Sequence, residues 1–252
     1  MKAYNQPFYY EIAFSFIDIK KQVDLFERFI RRYSKINVRR VLDLGCGPGL
    51  QLRELAERGY AGIGLDLSSR MLGYLNEKAK GRGLDIETVR ADMTGFRLKK
   101  KADFALSLMG TIGCIESKEM FLSHLGSVAD SLRPGGLYLI DGFRLDWAGN
   151  QLLGPGSWTM RRGAVTVRST YDVRVKDALR QMLKHTLRLD VDDGGRRLVY
   201  EERGDSRMIF PQELLTLLEA QRGFEFLGWF ERHRMRPLKK AATENLTLLR
   251  RR

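Results

Sequence analysis

Gly45, Gly47 and Gly49 fall within five residues, directly after the apolar segment Val41-Leu-Asp-Leu44. A strand that breaks into such a turn brings its backbone close to a ligand, because residues without a Cβ accept positive φ and close approach. A helix begins at about Leu50. A second apolar segment, Ala61–Asp66, ends in a carboxylate 17 residues after Gly49. In a βαβ unit that acid comes to lie against a ribose. A carboxylate accepts from both ribose hydroxyls at once without offering a competing donor. These residues are therefore suited to holding a nucleoside against the backbone.

Three further stretches extend the pattern. Asp43-Leu-Gly-Cys-Gly-Pro-Gly49 carries an acid two residues before its first glycine, unlike the NAD fingerprint. Arg90-Ala-Asp92-Met93 sets an acid after the third apolar segment, and Leu132-Arg-Pro-Gly-Gly-Leu-Tyr-Leu-Ile140 has an L-x-P-G-G turn before the fifth. Taken in order, these motifs resemble those of class I S-adenosylmethionine-dependent methyltransferases, over most of the chain. The resemblance implies a Rossmann-like, doubly wound α/β fold with a seven-stranded sheet, and S-adenosyl-L-methionine as cofactor. It assigns Gly45, Gly47 and Gly49 to the cofactor loop and Asp66 to the ribose. Asp43 either attracts the cofactor's ammonium, directly or through water, or braces the loop. Asp92 accepts from the adenine amino group while the Met93 amide meets the ring, and Leu67 and Met93 enclose the base. Leu108 and Gly110 stand at the carboxyl end of strand 4, in the crevice where open α/β sheets bind ligands, with a backbone carbonyl for the ammonium.

The acceptor side is marked more thinly. Met109-Gly-Thr-Ile-Gly113 resembles the S/N-S-I/L-G turn of amino-sugar and glycine N-methyltransferases. It departs from the Asn/Asp-Pro-Pro-Tyr tetrad of enzymes that methylate exocyclic amines of bases, and no Pro-Cys pair marks a cytosine C5 enzyme. Phe8-Tyr9-Tyr10-Glu11 is similar to the Y-Y-D start of small-molecule members. Tyr10 is the candidate to orient the acceptor and shield the sulfonium, the alternative being an aromatic staple for the first helix. Asp141, at the end of strand 5, is the candidate proton acceptor. His124 and His233 read as surface residues, and His185, on the apolar face of a strand, as satisfied or partly buried rather than catalytic. There is no metal-ligand spacing. The expected function is methyl transfer to a small-molecule acceptor at nitrogen or oxygen, by in-line displacement. RNA or protein methylation is the alternative, and intact motifs argue against a non-catalytic scaffold.

The elements that must position these residues divide the chain in three. Residues 1–153 read as a cofactor-binding α/β unit with an N-terminal lid and a helix, on which Val23, Phe26, Phe29, Ile30 and Tyr33 share a face to pack on the sheet edge. Between 154 and 208 the period becomes two: Val165, Val167, Tyr171, Val173 and Val175, then Leu183, Leu187, Leu189 and Val191, with a hairpin turn at Asp192-Asp-Gly-Gly195. This is an antiparallel β insertion after strand 5, expected to cover the acceptor or to pair two copies into a homodimer. Residues 209–252 return to the α/β pattern. At 43% hydrophobic residues the chain builds a real core, and no apolar run approaches a membrane span. No signal-peptide pattern opens the sequence, and the expected location is cytoplasmic. Cys46 and Cys114 are too few for a disulfide framework and read as buried thiols. The net charge of +13 is spread, +5 over residues 1–150 and +8 over 151–252, so a nucleic-acid partner is not favoured.

Overall fold

The computed structural model describes residues 2–143, 155–240 and 245–252. Helices α1 (Pro7–Ala13) and α2 (Ile19–Tyr33) precede strand β1 (Arg40–Leu44). Then follow α3 (Leu50–Glu57), β2 (Ala61–Asp66), α4 (Ser69–Lys80), β3 (Ile86–Arg90), β4 (Ala102–Ser107), α5 (Lys118–Ser131) and β5 (Leu132–Asp141). Strands β6 (Gly156–Arg162), β7 (Val165–Asp177), β8 (Met182–Asp193) and β9 (Arg196–Arg207) form a separate antiparallel sheet in that order. The chain then returns through α6 (Pro211–Gln221), β10 (Phe224–Glu231) and β11 (Asn245–Arg251) to the main sheet. That sheet has seven strands in the order β10-β11-β5-β4-β1-β2-β3, parallel except where β11 meets its neighbours.

Every residue of β4 is buried, as expected of a central strand with helices on both faces. Phe104 and Leu106 point to one face and Ala105 to the other, so the sheet separates two apolar cores. Helix α2 spans one of these faces rather than the edge expected from sequence: Phe26 stacks edge-on to Phe104 at 6.4 Å, and Phe29 to Phe230 at 5.0 Å. An apolar stripe with Phe26 and Phe29 at its centre is buried only against a broad surface, and each such ring contributes roughly 1.5–3 kcal/mol.

A third core lies outside the main sheet. Val165, Val167, Leu187, Leu189 and Val191 on the inner face of the antiparallel sheet pack on Ile12 and Ala13 of α1. Two-residue turns set the register of this sheet: Arg162 pairs with Val165, and Asp193 pairs with Arg196 around Gly194 and Gly195, both at positive φ. Side-chain bonds fasten α1 beneath it, Tyr9 Oη donating to Asp193 at 2.8 Å and Trp158 Nε1 to the Ala13 carbonyl at 2.6 Å. The domain boundary expected at 153/154 lies outside the described residues.

Candidate active site

The carboxyl ends of β1, β2 and β4 open into a cavity of about 400 Å³. This is within the range of small-molecule sites, ~300–1,000 Å³. Its near wall is the glycine loop. Gly45, Gly47 and Gly49 all hold positive φ (67°, 53° and 70°), and a Cβ on Gly45 would come within 2.4 Å of the Thr111 side chain. Gly45 and Gly47 line the cavity. Gly49 does not. It is the N-cap of α3, its amide donating to the Cys46 carbonyl, so it shapes the loop from outside the wall.

Asp66 joins this loop to the next helix. One carboxylate oxygen accepts from the Gly47 amide and the other from the Ser68 amide, both at 2.8 Å. Ser68 in turn caps α4 by accepting from the Met71 amide. A carboxylate offers about four lone-pair sites, so roughly two remain for a ligand diol. Burial raises the Asp66 pKa, while the Ser68 and Gly47 bonds act to lower it. Asp43 lies deeper, at the end of β1, outside the cavity wall. Its exposure is 2%, and it makes no side-chain hydrogen bond to the described residues. Burial, and then the nearby Asp66, push its pKa up to about 8.

Leu67, Asp92 and Met93 also line the cavity. Asp92 Oδ1 accepts from the Thr94 amide and hydroxyl, and Oδ2 makes no hydrogen bond among the described residues. The donor set fits S-adenosylmethionine: lone pairs for a ribose, an acid beside apolar surfaces for adenine, and an unpartnered carboxyl near the loop for an ammonium.

A protein-family profile described as "Methyltransferase domain" matches residues 41–136. The chain is 27% identical over 152 residues to the dTDP-3-amino-3,4,6-trideoxy-alpha-D-glucopyranose N,N-dimethyltransferase of Streptomyces venezuelae. That alignment spans 58% of this chain and 60% of the relative's length. In fold it is similar to a S-adenosylmethionine-dependent methyltransferase from Clostridium acetobutylicum, with TM-score 0.80, 18% identity, and 96% and 95% of the two chains covered. The sugar N-methyltransferase KedS8 from Streptoalloteichus has the same fold, with TM-score 0.73, 20% identity and coverage of 93% and 88%. Residues 41–136 thus match a methyltransferase domain, and the chain as a whole has the fold of S-adenosylmethionine-dependent methyltransferases.

The carboxyl ends of β4 and β5 each depart from a sequence expectation. Leu108 stays off the cavity wall, and its carbonyl already accepts from the Thr111 amide at 3.2 Å and hydroxyl at 2.8 Å, closing a short 3-10 turn at Thr111–Cys114. It is not free to take an ammonium. Gly110 does line the cavity. Asp141 is not placed as a base. It is 4% exposed and off the wall, and it accepts from the Met109 amide at 3.2 Å and from Arg232 at 3.1 Å. A carboxylate so engaged holds Met109, which carries an uncommon positive φ of 56°, in the turn that borders the site.

Tyr10 reaches the cavity as expected, joined by Tyr4, with ring centroids 5.9 Å apart. Tyr4 was not anticipated. Its short turn bridges two bodies, the Ser68 hydroxyl donating to its carbonyl and its own amide donating to Glu202 on β9. The antiparallel sheet supplies the far wall, with Tyr171, Leu183, His185 and the stretch from Ser206 to Ile209. Cys46 is buried as expected, whereas Cys114, in the turn after β4, is exposed and lines the cavity. Among the described residues no group of three or more His, Cys, Asp or Glu is placed to hold a metal.

One histidine is a clear correction. His124 is fully buried, not on the surface. Its Nδ1 lies 2.8 Å from the Met93 carbonyl and its Nε2 2.8 Å from the Tyr138 hydroxyl, so it fixes the backbone behind the Met93 wall. His185 is 6% exposed and lines the cavity, with Nδ1 buried and unpartnered. One signal was present in the sequence: His185 is the polar member of the otherwise apolar row Leu183, Leu187, Leu189 and Val191.

Proposed function

We propose that this methyltransferase moves the methyl group of S-adenosyl-L-methionine to a nitrogen or oxygen of a small molecule. The carrying observation is the continuity of the cavity, which runs from the glycine loop and acidic turns to a roof made by the antiparallel sheet and the N-terminal tyrosines. A roofed site of this volume suits a small acceptor rather than a polymer. The resemblance to a sugar-amine dimethyltransferase supports nitrogen as one target.

The cofactor supplies an activated methyl on a sulfonium. In this reading Asp66 binds its ribose through the lone pairs left by Gly47 and Ser68. Asp92 accepts from the adenine amino group, Leu67 and Met93 cover the ring faces, and Gly45 and Gly47 allow close approach. Asp43, buried behind the glycine loop, attracts the ammonium directly or through water, and a cation there favours its charged form. Tyr10 and Tyr4 exclude water and orient the acceptor. Displacement from a sulfonium needs chiefly alignment and a dry site, and proximity alone contributes roughly 7–11 kcal/mol.

Two copies would associate along the free edge of β6, an outer strand of the antiparallel sheet. Sedimentation at several concentrations tests this. Among the described residues no helix is long and apolar enough to cross a membrane, and a cytoplasmic location belongs to the same proposal, tested by fractionation. On the outward face of the sheet, Arg174, Arg188 and Arg203 pair with Asp172, Asp190 and Glu201, an arrangement suited to a solvated surface. The function itself is tested with methyl-labelled cofactor and a fractionated metabolite pool. Label appearing in a small molecule supports it. Label appearing only in RNA or protein overturns it.

A further inference from the structure

The roof of the cavity carries a group that the cofactor does not need. His185 sits on β8 directly opposite Gly204 of β9. A Cβ at Gly204 would lie 2.7 Å from His185 Nε2, so this glycine leaves room for the imidazole rather than for a turn. Tyr171, on the same face of β7, has its ring centroid 6.0 Å away. Although 94% of the residue is shielded, neither ring nitrogen makes a hydrogen bond to the described residues, and Nδ1 is shut off from water. Burying an imidazole without a partner is costly on a strand whose other inner positions, Leu183, Leu187, Leu189 and Val191, are all leucine or valine. Such a group is retained where a partner arrives from outside.

Resting on the methyl-transfer reading above, we propose that His185 is a catalytic residue that accepts the hydrogen bond, and then the proton, of the acceptor's nucleophilic N–H or O–H. The acceptor's lone pair forms the new bond to the methyl carbon. The carbon–sulfur bond breaks with its electron pair going to sulfur, which cancels the sulfonium charge. The proton of the attacking atom passes to His185 Nε2, and the imidazolium later returns it to water. The acceptor class follows: an uncharged amine or a hydroxyl that still carries hydrogen, on a body that packs among Tyr4, Tyr171, Leu183 and Met120.

Burial lowers the His185 pKa below its usual value, outweighing the opposing pull of Asp205 and Glu202 on β9, so the ring is neutral and its lone pair available near neutral pH. The cavity wall also carries the titratable groups Tyr171 on β7, Arg207 on β9, Tyr4 before α1, Tyr10 on α1, Cys114 beyond β4, Asp66 at the end of β2 and Asp92 after β3.

Two independent measurements decide the matter. In the complex with S-adenosylhomocysteine, diethyl pyrocarbonate should label His185 through the open half of the cavity and leave His124, bonded at both nitrogens, untouched. An unreactive His185 overturns the proposal whether or not any acceptor is known. On an acceptor found with labelled cofactor, His185→Ala should lower kcat by about 10²–10⁴-fold, the usual worth of a general base. It should bind S-adenosylhomocysteine normally, lose the acid limb of the pH–rate profile, and regain activity with free imidazole. Gly204→Ala should give the same loss by displacing the ring. Turnover of His185→Ala near wild type, or a loss that imidazole does not relieve, sinks the assignment. Failure of the wild-type protein to methylate any small molecule tells instead against the function proposed above.

Discussion

Glu11 Oε2 on α1 lies 2.8 Å from Arg53 Nη2 on α3, with both side chains nearly sealed from solvent. The other oxygen of Glu11 is 2.8 Å from Arg162 Nη1 on β6. One carboxylate thus connects the N-terminal helix, helix α3 and the antiparallel sheet. Burial alone would raise its pKa, but Arg53 and Arg162 more than offset this and hold it below the ordinary value. For an acid with a depressed pKa, the stabilisation is present above its unfolded pKa and is lost as pH falls through the folded one. Glu11→Gln should therefore destabilise the protein at neutral pH, by up to about 3–5 kcal/mol if Arg53 stays buried and unpaired. The difference from wild type should shrink on acidification below the usual carboxylate range. Denaturant melts at neutral and acidic pH would check this.

Asp43 behaves in the opposite sense. With its folded pKa raised to about 8, it stabilises the ligand-free protein only while protonated, and that contribution is lost as pH rises from the normal carboxylate value through 8. Asp43→Asn should raise the Tm of the ligand-free protein at pH 8, by on the order of a few kcal/mol of stability, and at the same time weaken cofactor binding. A variant stabilised in both free and bound states would leave Asp43 a loop brace with no cationic partner.

Asp66→Ala should weaken S-adenosylhomocysteine binding by roughly 2–3 kcal/mol, through loss of charge-assisted bonds in a partly buried site. Because Asp66 also holds the Gly47 and Ser68 amides, the glycine loop should exchange its amide hydrogens faster even without ligand. Calorimetry reads the first effect and hydrogen exchange the second.

His124, neutral and buried, has its pKa lowered to about 4 chiefly by burial, against the pull of its Met93 bond. A base with a depressed pKa stabilises above its unfolded value, and here that is lost as pH falls from about 6.5 towards 4. The loss is about 3 kcal/mol at the lower end. His124→Phe should remove this acid sensitivity, leave the Tyr138 hydroxyl without its partner, and loosen the Met93 wall. Stability measured against pH in both proteins tests it.

The glycine turn and the acid that ends β2 were legible because their geometry is made by neighbours in the chain. Gly45 to Gly49 must turn where β1 ends, and Asp66 must end β2 beside them in a parallel register that pairs Leu44 with Leu65. The surroundings of His124 and His185 were not legible, for a common physical reason. Periodicity tells which residues share a face, but not what that face meets. His124 is separated by 31 residues from the carbonyl it touches. His185 faces the cavity only because α1 and Tyr4 fix the antiparallel sheet over the carboxyl ends of β1, β2 and β4. Asp141 was misassigned in the same way, since its partner Arg232 lies 91 residues on.

That docking gives the last prediction. Read as a simple lid, residues 1–14 could be removed with loss of turnover alone. The third core makes them the floor of the antiparallel sheet, since Ile12 and Ala13 cover Leu187, Leu189, Val165 and Val167. Deletion should expose this apolar face, strip Trp158 and Asp193 of their partners on α1, and speed hydrogen exchange throughout β6–β9. The seven-stranded sheet, with its two separate cores, should remain folded and bind S-adenosylhomocysteine more weakly. Replacing Leu187 and Leu189 with aspartate should reproduce the same exchange pattern with the N-terminus intact, because buried charges eject α1 from the other side. If the deletion leaves β6–β9 as protected as in the full chain, the sheet is stable by itself and α1 is a lid after all.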